Sequence, residues 1–247
     1  MAEWSKAPDS KSGLGQPNGG SNPSLSATAF FLVCWTALAL PLQAVGQSRD
    51  PDVAFQRGVN LQEAGRFAEA IKAYDEAIQI GSNYLVAYNN RGAAYGALRQ
   101  YERAIPDFDL AIQLNPRYTE AYCNRGAAYG ALKQYERAMK DFDQAIQLDP
   151  KYARAYNNLA WLLATAEDAS IRNGRRATEL ALKACALSDC QDAYLLDTLA
   201  AAYARVGDFA KAIEWQTKAM ANPLRAGDRD SEARLQSYRE GKAWPPN

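Results

Sequence analysis

Three asparagines occupy the same place in consecutive stretches of this sequence, and they carry its clearest potential for recognition chemistry. Asn90, Asn124 and Asn158 are separated by 34 and 34 residues. A carboxamide offers an acceptor oxygen and two N–H donors, so a column of them can pair with the N–H and C=O groups of an extended peptide. The alternative is that each Asn bonds to the neighbouring helix and holds the repeats in register. The sequence leaves both roles open.

Residues beside this column extend the candidate site. An aromatic side chain such as Trp161 can anchor a partner protein, and it can equally pack against the fifth repeat. Asn89 and Asn157 immediately precede two members of the column. The predicted partner-binding set is therefore Asn89, Asn90, Asn124, Asn157, Asn158 and Trp161.

Catalytic chemistry has little support in the sequence. The chain contains no histidine, which removes the commonest general base and metal ligand, and it has no GxSxG, HExxH or phosphate-binding glycine loop. The acidic pairs Asp107/Asp109 and Asp141/Asp143 are spaced two apart on predicted helices and do not face each other. We interpret these pairs as a solvated face. The sequence predicts no enzyme activity and no catalytic, cofactor or metal site.

Composition narrows the class of partner. The chain has 28 basic and 28 acidic residues, with 48% apolar and 23% charged residues. This is the composition of a folded soluble chain without the basic patch that nucleic-acid binding requires. We expect a protein or peptide partner, and neither nucleic acid nor a small-molecule substrate.

The elements that position these residues follow from an internal repeat. Residues 85–118 and 119–152 are two copies of one unit, identical at 25 of 34 positions. A fixed period of this size predicts a solenoid. Apolar residues recur three and four apart in both halves of the unit, which predicts two amphipathic helices. The glycines at 92 and 126 predict a close approach between helices.

The order of residue types in the unit resembles the tetratricopeptide repeat, as found in bacterial proteins. The positions that carry the resemblance in the first copy are Tyr88, Arg91, Gly92, Tyr95, Ala104, Phe108, Ala111 and Pro116. It implies an all-α, right-handed superhelical solenoid of helix-turn-helix units with the first helix of each unit on the concave side. It also implies a scaffold that binds a partner peptide or helix in the concave groove.

Two further functional interpretations follow from the same resemblance. The carboxylate clamp that some of these domains use for chaperone tails is not expected, because Phe55, Asn90, Glu120 and Asn124 stand in its places and its basic residues are missing. The alternative to groove binding is self-assembly through stacking of repeat faces.

Five units are predicted over residues 51–226. Their ranges are 51–84, 85–118, 119–152, 153–192 and 193–226. The fourth has a longer connection between its helices. A capping helix is predicted at 228–240, followed by a loose tail at 241–247.

The N-terminal residues differ in composition from the repeats. Residues 1–26 are rich in Ser, Gly, Pro and Asn and are predicted to be disordered. Because residues 20–23 match the reading GGTTCGAATCC of a transfer RNA T-arm, we hypothesise a spurious extension of the protein.

The apolar run at 27–40 is shorter than the roughly 20 residues of a membrane span, so residues 27–46 are interpreted as a signal peptide or an anchor. Membrane contact is expected only if residues 27–42 are retained. Export or a periplasmic location is favoured, with the cytoplasm as the alternative if the start is misassigned.

Cys185 and Cys190 are five residues apart. They either form a disulfide in an exported protein or remain a buried helical thiol beside a loop thiol. The sequence favours the second interpretation.

Overall fold

The structure is a computed structural model that describes residues 50–245, except 189, 191 and 223–227. Residues 1–26, interpreted as a spurious extension, lie outside the described residues. So do residues 27–46, interpreted as a signal peptide or an anchor. No helix within the described ranges is long and apolar enough to cross a membrane.

Eleven helices and no strand make up the described part of the chain. Their bounds are α1 Pro51–Glu63, α2 Phe67–Ile80, α3 Leu85–Ala97, α4 Tyr101–Leu114, α5 Thr119–Ala131, α6 Tyr135–Leu148, α7 Ala153–Thr165, α8 Gly174–Leu187, α9 Ala193–Arg205, α10 Phe209–Met220 and α11 Arg229–Arg239. Each odd-numbered helix from α1 to α9 packs against the helix that follows it. The predicted all-α solenoid of helix-turn-helix units is confirmed.

The first three helix pairs are each held by alanines around one buried aromatic ring, Tyr74, Phe108 or Phe142. Phe108 of α4 and Phe142 of α6 lie against the first helix of their own repeat. A Cβ added at Gly92 would lie 2.7 Å from Cε1 of Phe108, and one at Gly126 would lie 2.9 Å from Cε1 of Phe142. The predicted close approach therefore exists, but between a helix backbone and an aromatic ring.

The first helices of the repeats form the inner wall of the solenoid. α1 contacts α3, α3 contacts α5, α5 contacts α7, and α7 contacts α9. No comparable contact joins successive second helices in the described part of the chain. Because one row of helices is packed more tightly than the other, the array curves toward the first helices.

The acidic pairs do not form a purely solvated face, so that interpretation is wrong for one member of each. Asp107 is buried and accepts hydrogen bonds from Nε and Nη2 of Arg91 at 2.8 and 2.6 Å. Asp141 is paired with Arg125 in the same way. Asp109 is exposed but bonds to Arg125 of the next repeat at 2.6 Å. Arg91 and Arg125 thus tie α3 and α5 to the second helices on both sides.

The C-terminal tail is docked as far as residue 245, contrary to the loose tail expected from its sequence. Arg205 at the end of α9 donates from Nη2 to the carbonyl oxygen of Trp244 at 2.6 Å, and from Nε to that of Ala164 at 2.8 Å. Ala243 and Trp244 pack beside the buried Tyr238 of α11. One arginine thus joins α7, α9 and the tail.

Cys185 and Cys190 form a disulfide, with Cα atoms 4.2 Å apart. The favoured interpretation of two separate thiols is therefore wrong in this structure. Cys190 has a positive φ of 52°, and this turn after α8 brings the two side chains together. In the described ranges, Cys123 is the free cysteine, and it is buried.

Candidate functional site

A row of side-chain contacts runs along the inner wall. In each contact, the sixth residue of an odd-numbered helix donates to the fifth residue of the odd-numbered helix before it. Asn124 Nδ2 donates to Asn89 Oδ1 at 2.9 Å, and Asn158 Nδ2 donates to Cys123 Sγ at 3.5 Å. At the C-terminal end, Arg234 Nε donates to Asp197 Oδ1 at 3.0 Å. We call these three contacts the inner-wall ladder, after residues Asn89, Cys123, Asn124, Asn158, Asp197 and Arg234.

The ladder accounts for the most enclosed asparagines of the predicted site. Asn89 is 0% exposed and Asn124 is 5% exposed. Asn124 also accepts a hydrogen bond from Arg154 Nη2 at 2.6 Å. In this structure the carboxamides of Asn89 and Asn124 are committed to contacts between neighbouring repeats, the structural role that the sequence left open.

The other predicted residues reach the surface of the inner wall. Asn90, Asn157 and Asn158 are each half-buried. Asn90 accepts a long hydrogen bond of 3.4 Å from Asn89 Nδ2. Trp161 is also half-buried, and it packs against the hydrophobic core of the third to fifth repeats. The structure therefore brings Asn157, Asn158 and Trp161 together on α7, and leaves Asn90 two repeats away.

Trp161 has a partner that its sequence position did not indicate. The guanidinium carbon of Arg234 in α11 lies 5.6 Å from the centre of the indole ring, a distance at which a cation is attracted to an aromatic face. The inner wall at α7 is thus bounded by a charge from the C-terminal helix.

Arg154 is a candidate site residue that sequence reasoning missed. It is the second residue of α7, in the position held by Val86 in α3 and Glu120 in α5. Unlike Arg91 and Arg125, which pair with carboxylates, it donates to the neutral Asn124. A cation at a repeat position that is apolar or acidic elsewhere was the available signal.

The surroundings of Arg154 are polar and partly buried. Burial raises the pKa of the Cys123 thiol and of the Tyr152 hydroxyl, so both groups are neutral near pH 7. The guanidinium of Arg154 is charged, because arginine does not lose its proton in proteins.

Two enclosed atoms on α7 have no hydrogen-bond partner among the described residues. They are Nε of Arg154, a donor, and Oδ1 of Asn157, an acceptor. Residues three apart on a helix share one face, so the two side chains are neighbours. No group of three or more Cys, Asp or Glu side chains in the described ranges is arranged to hold a metal ion.

The part of the inner wall beside α7, formed by α3 and α5, is built from small residues. Ala93 and Ala127 are buried, and Gly130 is half-buried. A Cβ added at Gly130 would have its nearest neighbour, Leu162 Cδ1, at 3.6 Å, which is an ordinary contact distance. Short side chains therefore line the wall of α3 and α5 next to the longer side chains of α7.

Family comparisons match the repeated part of the chain. A model described as tetratricopeptide repeat matches residues 86–118 and 119–152. A model described as TPR repeat matches residues 61–99, and a further tetratricopeptide repeat model matches residues 142–179. A comparison with curated proteins found no match.

Solved structures show the same architecture. A thermophilic TPR protein from Thermus thermophilus is 21% identical, with a TM-score of 0.64, over 77% of this chain and 99% of that chain. MamA from Desulfovibrio magneticus RS-1 is 25% identical, with a TM-score of 0.54, over 72% of this chain and 97% of that chain.

Proposed function

Because this chain is a tetratricopeptide repeat protein, a fold typically used as a non-enzymatic scaffold for protein interactions, we propose that it binds an extended segment of a partner protein on its inner wall. The observation that carries the proposal is the grouping of half-buried Asn157, Asn158 and Trp161 on α7. These side chains combine hydrogen-bonding groups with an aromatic surface, as binding sites for peptides do.

The enclosed asparagines take a supporting part in this proposal. Asn89 and Asn124 hold α3 and α5 at a fixed spacing through their own hydrogen bond, while Asn90, Asn157 and Asn158 present polar atoms to the ligand. The small side chains of Ala93, Ala127 and Gly130 leave space for its backbone. Shape and hydrogen bonding select the ligand here, and net charge contributes little.

Self-assembly by stacking of repeat faces is the alternative. The outward face of the first repeat carries exposed Asp52, Gln56 and Asn60 beside the apolar Val53. The exposed residues of α11 at the other end are Arg229, Asp230, Glu232, Ala233, Gln236 and Arg239. Mostly polar end faces lose hydration on stacking without an apolar gain, so we favour groove binding.

A display library of random 15-residue peptides, selected on the purified full chain, tests the proposal. We expect selected peptides to bind with micromolar or better affinity in calorimetry, and Trp161→Ala to weaken binding by about tenfold or more. Asn60→Ala on the outward face of α1 is the matched control and should bind normally. Failure to select any peptide, together with light scattering that shows a concentration-dependent oligomer, would favour assembly instead.

A further inference from the structure

We propose that α7 holds one residue of the partner's main chain, with Arg154 Nε donating to its C=O and Asn157 Oδ1 accepting from its N–H. This inference rests on the proposed function, and it assigns both the chemistry of the contact and the direction of the ligand. It starts from two atoms that are left without partners on one helix face.

The unpaired oxygen of Asn157 is a consequence of the inner-wall ladder. In the ladder, the fifth residue of a first helix accepts from the sixth residue of the next one, as Asn89 accepts from Asn124. Asn157 is the fifth residue of α7, and the sixth residue of α9 is Thr198. Threonine has a shorter side chain and no amide, so the contact that would have satisfied Asn157 is missing between α7 and α9.

The unpaired nitrogen of Arg154 has a different origin. Its Nη2 is directed to Asn124, which fixes the guanidinium against α5. The other inner-wall arginine, Arg234, uses Nε for a carboxylate. At Arg154 the corresponding donor finds no acceptor among the described residues. A buried donor without a partner costs free energy that a ligand acceptor can recover.

The pair is complementary to an extended chain. In an extended segment the N–H and C=O of one residue point to the same side, which is how two antiparallel strands exchange two hydrogen bonds at one residue pair. Arg154 and Asn157 are one helical turn apart, and side chains at this spacing have Cβ atoms about 5–6 Å apart. Their donor and acceptor can therefore form the same two hydrogen bonds with one residue of the ligand. An anionic side chain would satisfy Arg154 and leave Asn157 unpaired.

The assignment sets the ligand's direction. Along any chain the N–H of a residue precedes its C=O, so the ligand must run from Asn157 toward Arg154, antiparallel to α7. Residues N-terminal to the bound residue then lie toward Trp161, one turn further along the helix. Arg154 and Asn157 are half-buried, but Nε of Arg154 and Oδ1 of Asn157 are covered. The two side chains therefore have to rotate when the ligand binds.

N-methylation of the ligand backbone tests the contact without changing the protein. The probe is a peptide selected from the random library, synthesised with a single N-methyl group at each position in turn. We expect one interior position where methylation weakens binding to the full chain by about 3- to 10-fold. Asn157→Ala should weaken the unmodified peptide by a similar factor and abolish the further effect of that one methyl group. Asn60→Ala is the control and should leave the methylation profile unchanged.

Two outcomes separate this inference from the proposed function. If no peptide is selected, the proposed function fails. If peptides bind but the methylation profile is identical in Asn157→Ala and the unchanged protein, groove binding stands and the main-chain contact is wrong. Direction is measured with a nitroxide on either end of the peptide. The N-terminal label should broaden the indole signal of Trp161 more strongly, and the reverse result contradicts the assigned direction.

Discussion

The middle and the C-terminal end of the solenoid use the same ladder geometry with different chemistry. Between α3 and α5 the contact is a pair of neutral carboxamides, Asn124 and Asn89. Between α9 and α11 it is an ion pair, Arg234 with Asp197, whose side chains are only 6% and 5% exposed. Both contacts join the same positions of their helices. The fold therefore specifies where the two residues meet, and the residue types specify the strength of the contact.

The difference follows from what else holds each helix. α5 is packed between two complete repeats, so a modest contact suffices to keep its register. α11 packs against α10, pairs with α9 and meets the tail through Tyr238, and it does not lie between two complete repeats as α5 does. The buried arginine is further enclosed by Ser231, which accepts from its Nη2 at 3.1 Å, and by Trp161. A terminal helix with few neighbours therefore depends more heavily on one polar contact.

Loss of the ion pair is expected to have the largest effect. Arg234→Ala leaves Asp197 buried without its counter-ion, so we expect a loss of about 3–5 kcal/mol in the free energy of unfolding. Urea denaturation followed by circular dichroism measures it. Arg239→Ala, at an exposed position on the same helix, is the control and should change stability by less than about 0.5 kcal/mol. Equal effects of the two substitutions would mean that the pair does not hold α11.

Loss of the amide contact should cost less. Asn124→Ala removes the hydrogen bonds to Asn89 and Arg154, and leaves a buried carboxamide oxygen unpaired, for an expected loss of about 1–3 kcal/mol. The exposed carboxamide of Gln113 in α4 gives the control, Gln113→Ala, with little expected change. A melting temperature unchanged by Asn124→Ala would contradict a stabilising role for this contact between α3 and α5.

Converting the ion pair into an amide pair tests whether the α9–α11 contact has the same geometry as the α3–α5 contact. The double variant Asp197→Asn with Arg234→Gln should recover most of the loss seen in Arg234→Ala, leaving a deficit of about 1–2 kcal/mol. The single variants supply the double-mutant cycle. Additive losses in that cycle would contradict a direct contact between the two positions.

The weakest ladder contact offers the smallest effect. Cys123 accepts from Asn158 through sulfur, a poor acceptor, at a position where the equivalent Asn89 is fully buried. Cys123→Asn should stabilise the protein by about 0.5–1 kcal/mol, because it restores a carboxamide acceptor. Cys123→Ala, which only removes the sulfur, is the comparison in thermal unfolding. If Cys123→Asn is the less stable of the two, the α5 position has no room for the amide.

The helical repeats could be predicted from sequence because their signal is local. Apolar spacing in residues 85–152 predicts the two helices of each unit, and Asn115 and Asp149 stand at helix ends before proline. The column of Asn90, Asn124 and Asn158 was also visible in the sequence, but the residues that these side chains contact were not. A period of 34 gives equivalent positions, whereas the contacts join residues 35 apart, such as Asn124 and Asn89.

The features missed are those that depend on distant parts of the chain. The docking of the tail needs Arg205 to meet Trp244, and the setting of Trp161 needs Arg234 of α11. Neither pairing repeats elsewhere in the sequence, so no period reveals it. The disulfide of Cys185 and Cys190 depends on the turn after α8, since spacing alone allows both a bridge and two thiols.

The helices, the repeat length and the all-α class can be read from the residues alone, because helix periodicity and proline stops act over a few residues. The packed fold was needed to learn which asparagines are enclosed, which contact is an ion pair and which polar atoms of α7 remain unpaired. Neighbouring helices are offset as they pack along a curved solenoid. A side chain's partner is set by that offset, and burial then decides whether the side chain serves the fold or remains available to a ligand.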